Sequence, residues 1–267
     1  MGLTITYIQT HLFWEDKATN FLHFDSLLQQ VKETDLIVLP EMFTTGFTMN
    51  SASMAESENN QTLLWMQHKA KQKNAAITGS FIVSDNHQYY NRLIWVNPDG
   101  TYYTYNKRHL FRMAQEHLHY TAGNERLIVS YKGWKICPMI CYDLRFPVWS
   151  RNIYFGHSKN NQTPTYDLLL FVANWPEARA HAWNTLLPAR AIENQCYVLG
   201  VNRIGTDGKN INYSGNSAVF DAKGMAIHLS ELHREEVCTL QISLSELNEF
   251  RQKFPVALDS DCIDISV

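Results

Sequence analysis

The stretch Lys135–Trp149, KICPMICYDLRFPVW, carries the transition on which the predicted fold depends. Apolar residues run from Ile136 to Ile140, and Arg145-Phe146-Pro147 then ends regular structure. This pattern predicts a buried strand followed by a tight turn, with Cys141 at the carboxyl end of the strand. Such a turn exposes the side chain at its start to a substrate and places it close to free backbone N–H groups, an arrangement typical of a nucleophile. The alternative is that Cys141 is a small core residue, because free cysteines are commonly buried.

The composition is that of a globular protein. Of the 267 residues, 45% are hydrophobic and 18% are charged, which is enough apolar material for a substantial core. The formal net charge is −3 and no basic run is present, so we expect no nucleic-acid partner. No apolar stretch approaches the roughly 18 residues that span a bilayer, so we expect no membrane partner. The first residues lack the pattern of a signal peptide.

The five cysteines are scattered and lack the closely spaced pairs of a zinc site. Cys137 and Cys141 are the one close pair, and on a strand they would lie about 13 Å apart, too far for a disulfide. We therefore expect a reduced, cytoplasmic protein. The remaining cysteines are Cys196, Cys238 and Cys262.

Predicted strands and helices alternate along the chain. The sequence also predicts several hairpins, and the clearest turn signal is Asn97-Pro98-Asp99-Gly100. This order predicts an α/β fold with a mixed sheet covered by helices, in one domain over residues 1–267 with a C-terminal tail. Residues 206–215 read as a polar loop, and Pro188 is expected to kink its helix. The main predicted strands are Leu3–Ile8, Asp35–Leu39, Ala75–Val83, Trp134–Ile140, Tyr166–Val172 and Cys196–Asn202, and the helices are Glu15–Lys32, Thr62–Lys73 and Ala178–Asn194.

Three predicted strands end at a reactive or charged side chain: Glu41, Lys107 and Cys141. In open α/β sheets the carboxyl ends of the strands line the ligand crevice. Glu41 can take the proton of the thiol, and Lys107 can stabilise a thiolate or an oxyanion beside a backbone N–H near Tyr142. Glu116 is the candidate for a second carboxylate that holds the lysine. For Glu41 and Lys107 the alternative is ordinary solvated surface charge.

These segments resemble the three signature motifs of the nitrilase (carbon–nitrogen hydrolase) superfamily. They are Leu39-Pro40-Glu41, the run from Tyr105 to Phe111, and the run from Cys141 to Pro147, and their polar residues are spaced 66 and 34 residues apart. The resemblance implies a four-layer αββα sandwich with mixed β-sheets, no metal or organic cofactor, and a homodimer. It assigns Glu41 as general base, Lys107 as oxyanion stabiliser, Cys141 as nucleophile and Glu116 as auxiliary glutamate.

Within the superfamily, residues 106–117, 141–152 and 172–179 are most similar to the bacterial omega-amidases. This similarity implies hydrolysis of 2-oxoglutaramate and 2-oxosuccinamate through a cysteine thioester. Phe43, Tyr142 and Trp175 follow strand ends and are expected to wall a narrow pocket. The candidate anchors for a substrate carboxylate are Arg112, Arg179 and Arg203, whereas Arg145 is expected to pair with Asp143.

Two other functions remain open from the sequence. One is a different amidase of the same superfamily, or an N-carbamoyl amino acid hydrolase, with the same three catalytic groups. The other is a non-catalytic binding protein that bears a thiol. His117 and His119 beside Glu116 are a poor indication of a metal site, because an H-x-H pair on a loop is a weak signal, so we expect no metal there.

Overall fold

The computed structural model describes residues 1–57, 61–155 and 163–261, so Cys262 lies outside the described residues. Two six-stranded sheets form the centre of the fold, with strand orders β16-β1-β2-β3-β4-β5 and β15-β14-β11-β10-β7-β6. Their strands are β1 (Gly2–Gln9), β2 (Leu36–Val38), β3 (Ala76–Asp85), β4 (Gln88–Val96), β5 (Tyr102–Asn106), β6 (Val129–Tyr131), β7 (Trp134–Ile140), β10 (Leu168–Ala173), β11 (Tyr197–Asn202), β14 (Ala218–Phe220), β15 (Ala226–Leu229) and β16 (Glu236–Ser243).

Two short strand pairs, seven α-helices and four short 3₁₀ helices complete the described elements. The short pairs are β8 (Tyr154–Phe155) with β9 (Thr163–Pro164), and β12 (Ile204–Thr206) with β13 (Asn212–Ser214). The helices are α1 (Lys17–Gln30), α2 (Ser51–Met54), α3 (Gln61–Lys73), α4 (Glu116–His119), α5 (Pro147–Ser150), α6 (Ala180–Asn194) and α7 (Leu244–Lys253).

Each large sheet has three parallel strands at its centre and antiparallel strands outside them. In the first sheet β1, β2 and β3 are parallel, and in the second β7, β10 and β11 are parallel. The carboxyl ends of these strands therefore lie at a common edge of each sheet. The predicted mixed sheet is confirmed, and the fold contains two such sheets.

Alternating side chains of one strand serve two different core layers. Leu36 and Val38 pack between the two sheets, whereas Ile37 packs on the side of α1 and α3. On the second sheet, Gly200 leaves room for α6, because a Cβ there would lie 2.7 Å from the Trp183 ring. The layers are therefore helix, sheet, sheet and helix, as the family resemblance implied.

Helix α6 continues through Pro188, and the kink expected there stays a prediction. Two details differ from the sequence expectations. The expected polar loop over residues 206–215 contains most of the β12–β13 hairpin, whose first strand begins at Ile204. In the expected C-terminal tail, β16 pairs with β1 over eight residues, and α7 then packs on the body through the buried Leu247. The single domain over residues 1–267 stays a prediction. None of the described helices is long and apolar enough to cross a membrane.

Candidate active site

Four strand ends meet at one edge of the sandwich. Glu41 follows β2, Lys107 follows β5, Cys141 follows β7 and Asn174 follows β10. All four side chains are largely or completely buried. The sequence pattern predicted the strand ends at Glu41, Lys107 and Cys141. These ends lie together because β2 is parallel to β3 and β7 is parallel to β10.

Cys141 lies at a sharp change of backbone direction. Its φ is +43°, in the left-handed region that residues other than glycine seldom adopt. The residue also begins the short 3₁₀ helix Cys141–Arg145. The residue is 9% exposed, and its Sγ lies 3.9 Å from the carbonyl oxygen of Asn174. The predicted tight turn is therefore present, and it directs the thiol into a cavity that reaches solvent.

Lys107 is fully buried and lies between two carboxylates. Its Nζ donates to Oε1 of Glu41 at 2.9 Å and to both oxygens of Glu116 at 3.0 Å. The backbone around Lys107 is fixed by Gly123, whose N–H donates to the Lys107 carbonyl at 2.9 Å. A Cβ on Gly123 would lie 2.3 Å from the Asn106 carbonyl oxygen, so no other residue fits there without moving the lysine strand.

Two asparagines hold the Glu41 carboxylate. Asn91 Nδ2 donates to Oε1 at 2.8 Å, and the Asn174 backbone N–H donates to Oε2 at 2.7 Å. The Asn174 side chain also donates to the Glu41 carbonyl at 2.5 Å. With Lys107, these donors satisfy a buried carboxylate and fix its orientation.

Burial and charge act in opposite directions on these groups. Burial disfavours the Lys107 ammonium, but attraction by Glu116 and Glu41 outweighs burial and raises the pKa of Lys107. Burial raises the pKa of Glu116, and the Lys107 charge offsets this only in part. Burial and the Glu41 charge hold the pKa of Cys141 well above its ordinary value despite Lys107. The resting site therefore has a charged lysine and a protonated thiol, which needs a base before it can attack.

The Cys141 thiol opens into a cavity of about 380 Å³, a size that suits a small molecule. Aromatic rings form much of its wall, and four cationic side chains line it, one of them Lys107. The rings are Phe47, Phe111, Tyr142, Trp175 and Tyr213, and the cations other than Lys107 are Arg145, Arg179 and Lys209.

The predicted binding residues divide into two groups. Tyr142, Trp175 and Arg179 line the cavity. Phe43 does not, and its assignment as a pocket wall was wrong: it is fully buried in the helix-side core, edge-on to the Phe24 ring at 5.4 Å. The backbone turns after Glu41, with Phe43 N–H bonded to the Ser80 carbonyl, and this turn sends the ring away from the cavity.

The arginines also differ from expectation. Arg112 is exposed and does not line the cavity, whereas Arg203 is fully buried and donates to the Leu12 and Ile204 carbonyls. Arg145 was expected to pair with Asp143, but that carboxylate is occupied by other donors. Instead the guanidinium lies over the Trp175 ring, 5.1 Å from its centroid, on the cavity wall.

Sequence reasoning missed Asn91 and the β12–β13 hairpin. Asn91 is a fully buried polar residue inside a strand, and that position in the alternation of β4 was its only signal. The hairpin turn is organised by Asp207, whose Oδ1 accepts from the Lys209 and Ile211 N–H groups. Its Asp207-Gly208 pair is a turn signal that the sequence offered.

Comparison with known proteins agrees with this geometry. A family model described as Carbon-nitrogen hydrolase matches residues 4–252. Omega-amidase YafV of Escherichia coli (strain K12) is 47% identical over 260 residues, which cover 97% of each chain. The 2-oxoglutaramate amidase of Bacillus subtilis (strain 168) is 33% identical over 261 residues, which cover 96% of each chain. A CN-hydrolase superfamily protein from Xanthomonas campestris, with an arsenic adduct in its active site, has a TM-score of 0.95 and 45% identity over the full length of both chains. The chain therefore belongs to the carbon–nitrogen hydrolase family.

Proposed function

We propose that this carbon–nitrogen hydrolase is an omega-amidase, which releases ammonia from the terminal amide of a 2-oxo dicarboxylate monoamide such as 2-oxoglutaramate or 2-oxosuccinamate. The relatives named omega-amidase and 2-oxoglutaramate amidase support this substrate class because the identity extends over nearly the full chain. The single observation that carries the proposal is that Lys107 and Cys141 line one cavity while Glu41 is bonded to Lys107 directly behind it.

In the first half of the reaction Glu41 removes the proton of the Cys141 thiol, and the sulfur attacks the amide carbon. The carbonyl oxygen gains negative charge, which the Lys107 ammonium and a backbone N–H at Tyr142 stabilise. One such donor typically contributes about 3–4 kcal/mol to the transition state. Glu41 then returns its proton to the amide nitrogen and the C–N bond breaks. Ammonia departs, and the acyl group remains on Cys141 as a thioester.

In the second half a water molecule attacks the thioester carbon. Glu41 takes a proton from this water, the same donors stabilise the second oxyanion, and the C–S bond breaks. The proton goes to the leaving sulfur, which regenerates the Cys141 thiol and releases the carboxylic acid. Glu116 takes no proton in this scheme, since its oxygens hold Lys107 and accept the Phe111 N–H at 2.5 Å.

The distal carboxylate of the substrate binds to Arg145 and Arg179. Both guanidinium groups line the cavity and lie over aromatic rings, Arg145 over Trp175 and Arg179 over Phe111 at 5.3 Å. Stacking of this kind limits the motion of a guanidinium before it meets a carboxylate, which favours a bidentate contact.

The test is an ammonia-release assay over amides with and without a distal carboxylate. We expect 2-oxoglutaramate to have the highest kcat/KM, and the Cys141→Ala variant to lose more than about 10³-fold in kcat for every amide. Cys137→Ala is the matched control, because that thiol is buried in β7, the strand that leads to Cys141, and takes no part in the scheme. Arg145→Ala should raise KM for 2-oxoglutaramate by about tenfold or more while leaving neutral amides unchanged.

Substantial ammonia release by Cys141→Ala would refute the nucleophile assignment. Equal or better turnover of neutral amides or of N-carbamoyl amino acids would favour the alternative branch of the family. Stoichiometric labelling of Cys141 by iodoacetamide without turnover of any amide would favour a thiol-bearing binding protein.

The enzyme forms a homodimer through the face of α5 and α6. Val148, Ile192 and Phe254 are exposed apolar residues, and two contacts bring their segments together: Arg151 donates to the Glu193 carbonyl, and Gln195 donates to the Phe254 carbonyl. An exposed apolar group of this kind favours a protein partner. A reducing compartment such as the cytoplasm suits a thiol nucleophile, and Cys137, Cys141, Cys196 and Cys238 are all free.

A further inference from the structure

A second group of reactive side chains lies outside the residues that line the cavity. The ligand atoms of His228, Glu236 and Cys238 all lie within 4.8 Å of one another, and His228 Nε2 is 2.8 Å from a Glu236 oxygen. Within residues 1–57, 61–155 and 163–261, this is the one place where three such groups come this close.

The fold brings this group together from two sheets. His228 lies on β15, the edge strand of the second sheet, and Glu236 and Cys238 lie on β16, the edge strand of the first. Residues two apart on a strand share one face, so the carboxylate and the thiol project on the same side of β16. Tyr7 spans the same gap, since its hydroxyl is 2.7 Å from the Ser230 hydroxyl and its ring lies 6.2 Å from the His228 ring.

We propose that His228, Glu236 and Cys238 form a binding site for a zinc-class divalent transition metal, with water as the fourth ligand. Imidazole nitrogen, carboxylate oxygen and thiolate sulfur are the three ligand types that Zn²⁺ takes in proteins. Metal–ligand bonds of about 2.0–2.3 Å in a tetrahedron separate neighbouring ligands by roughly 3.3–3.8 Å. Side-chain movements of about 1 Å therefore convert the observed cluster into a site.

Two further features fit a metal ion. The side chains of His228 and Glu236 are partly exposed, so an ion has access from solvent and a water ligand has room. Binding removes the Cys238 thiol proton to the solvent and replaces the His228–Glu236 hydrogen bond with two metal bonds. The ion would join the edges of the two sheets, which are otherwise held there by side-chain hydrogen bonds such as that between Tyr7 and Ser230.

The chain contains an internal comparison. His233 and Glu177 form a similar pair at 3.1 Å, but no cysteine is grouped with them. The His233 pair lacks a third ligand, so it needs no explanation beyond a surface hydrogen bond, and His233→Ala is a matched control for His228→Ala.

Cobalt(II) and zinc titrations of the full-length protein test the site, in a Cys141→Ser background that removes the reactive cavity thiol. One equivalent of Co²⁺ should produce a thiolate-to-cobalt charge-transfer absorption that Zn²⁺ abolishes. His228→Ala and Cys238→Ser should each remove this absorption, and His233→Ala should retain it. Saturating Zn²⁺ should raise the thermal midpoint by about 5 °C in the background protein and in His233→Ala only.

Absence of the charge-transfer absorption in the background protein would overturn the proposal. Retention of the absorption by Cys238→Ser or by His228→Ala would overturn it equally, because the metal would then lie elsewhere. Cys238→Ser is a one-atom change at a half-buried position, so loss of the absorption with an unchanged circular dichroism spectrum supports the site and not a folding defect.

Discussion

Lys107 illustrates how single residues set the chemistry of this protein. Its fully buried ammonium has two carboxylate partners, Glu41 and Glu116. Removing one partner from a buried ion pair is usually strongly destabilising, because the remaining charge has lost its compensation. In the proposed mechanism the second carboxylate lets Glu41 give and take a proton while Lys107 stays paired through Glu116.

Glu116→Gln tests this arrangement. The loss of one negative charge near Cys141 should lower the pKa of its thiol, since the Glu116 charge contributes to raising it. Alkylation of Cys141 by iodoacetamide, followed by mass spectrometry, should therefore reach its maximum at a lower pH than in the wild type. Turnover should nevertheless fall by about 10²-fold, because Lys107 is less well positioned.

Glu249→Gln provides the control for this substitution. Glu249 pairs with Lys253 on the exposed surface of α7, so its loss should change neither the alkylation profile nor kcat. An unchanged alkylation profile in Glu116→Gln would contradict the proposed electrostatic coupling.

At the scale of elements, the turn after β7 is joined to the turn after β5. Asp143, fully buried, accepts hydrogen bonds from the Ile140 N–H at 3.1 Å and from the Tyr105 hydroxyl at 2.7 Å. Asp143 also accepts hydrogen bonds from the backbone N–H of His109 at 2.9 Å and from the ring Nδ1 of His109 at 2.8 Å. One carboxylate thus ties the strand end that carries Lys107 to the strand end that carries Cys141.

Asp143→Asn should therefore weaken both stability and catalysis. The amide keeps one acceptor oxygen but turns an N–H group toward existing donors, so we expect a loss of about 3 kcal/mol in the free energy of unfolding. We expect kcat to fall at least tenfold with a smaller change in KM, because the nucleophile and the lysine lose their relative position. Urea denaturation and steady-state kinetics measure the two effects.

Asp99→Asn is the control for the same chemical change. Asp99 accepts from Thr101 in an exposed hairpin turn, and its substitution should alter stability by less than about 0.5 kcal/mol. Equal effects at positions 99 and 143 would show that the buried connection contributes nothing special.

At the scale of the whole molecule, the sandwich leaves an apolar face beside its active site. Ile192 on α6 is 56% exposed, and Met225 lies next to Gly224, which packs against the Ile192 side chain. This face is the basis of the proposed homodimer. A charge placed there would have to be desolvated on pairing, which is unfavourable.

Ile192→Glu should therefore shift the protein from dimer to monomer in light scattering coupled to size-exclusion chromatography. Leu22→Glu is the matched control, because Leu22 is an exposed leucine on α1, in the opposite helix layer. The wild type and Leu22→Glu should elute with twice the mass of one chain. A wild-type monomer at micromolar concentration, or a dimeric Ile192→Glu, would contradict the proposed face.

Sequence by itself determined the strands that end at Glu41, Lys107 and Cys141, and the tight turn at Cys141. These features are local, since a short apolar run followed by proline, or by a polar turn, ends a strand wherever it packs. It also determined the groups available for chemistry, and the resemblance of its motifs to the nitrilase superfamily led to the prediction of a thiol-dependent amidase.

Only the tertiary structure decided the neighbours of those groups. Periodicity tells which residues share a face of a strand, but not which distant segment meets that face. Phe43 therefore packs in the core instead of lining the cavity. Arg145 does not pair with Asp143, because His109 and Tyr105 approach that carboxylate from the other sheet. Asn91 and the β12–β13 hairpin joined the site for the same reason: contacts between residues far apart in the chain depend on how the two sheets pack.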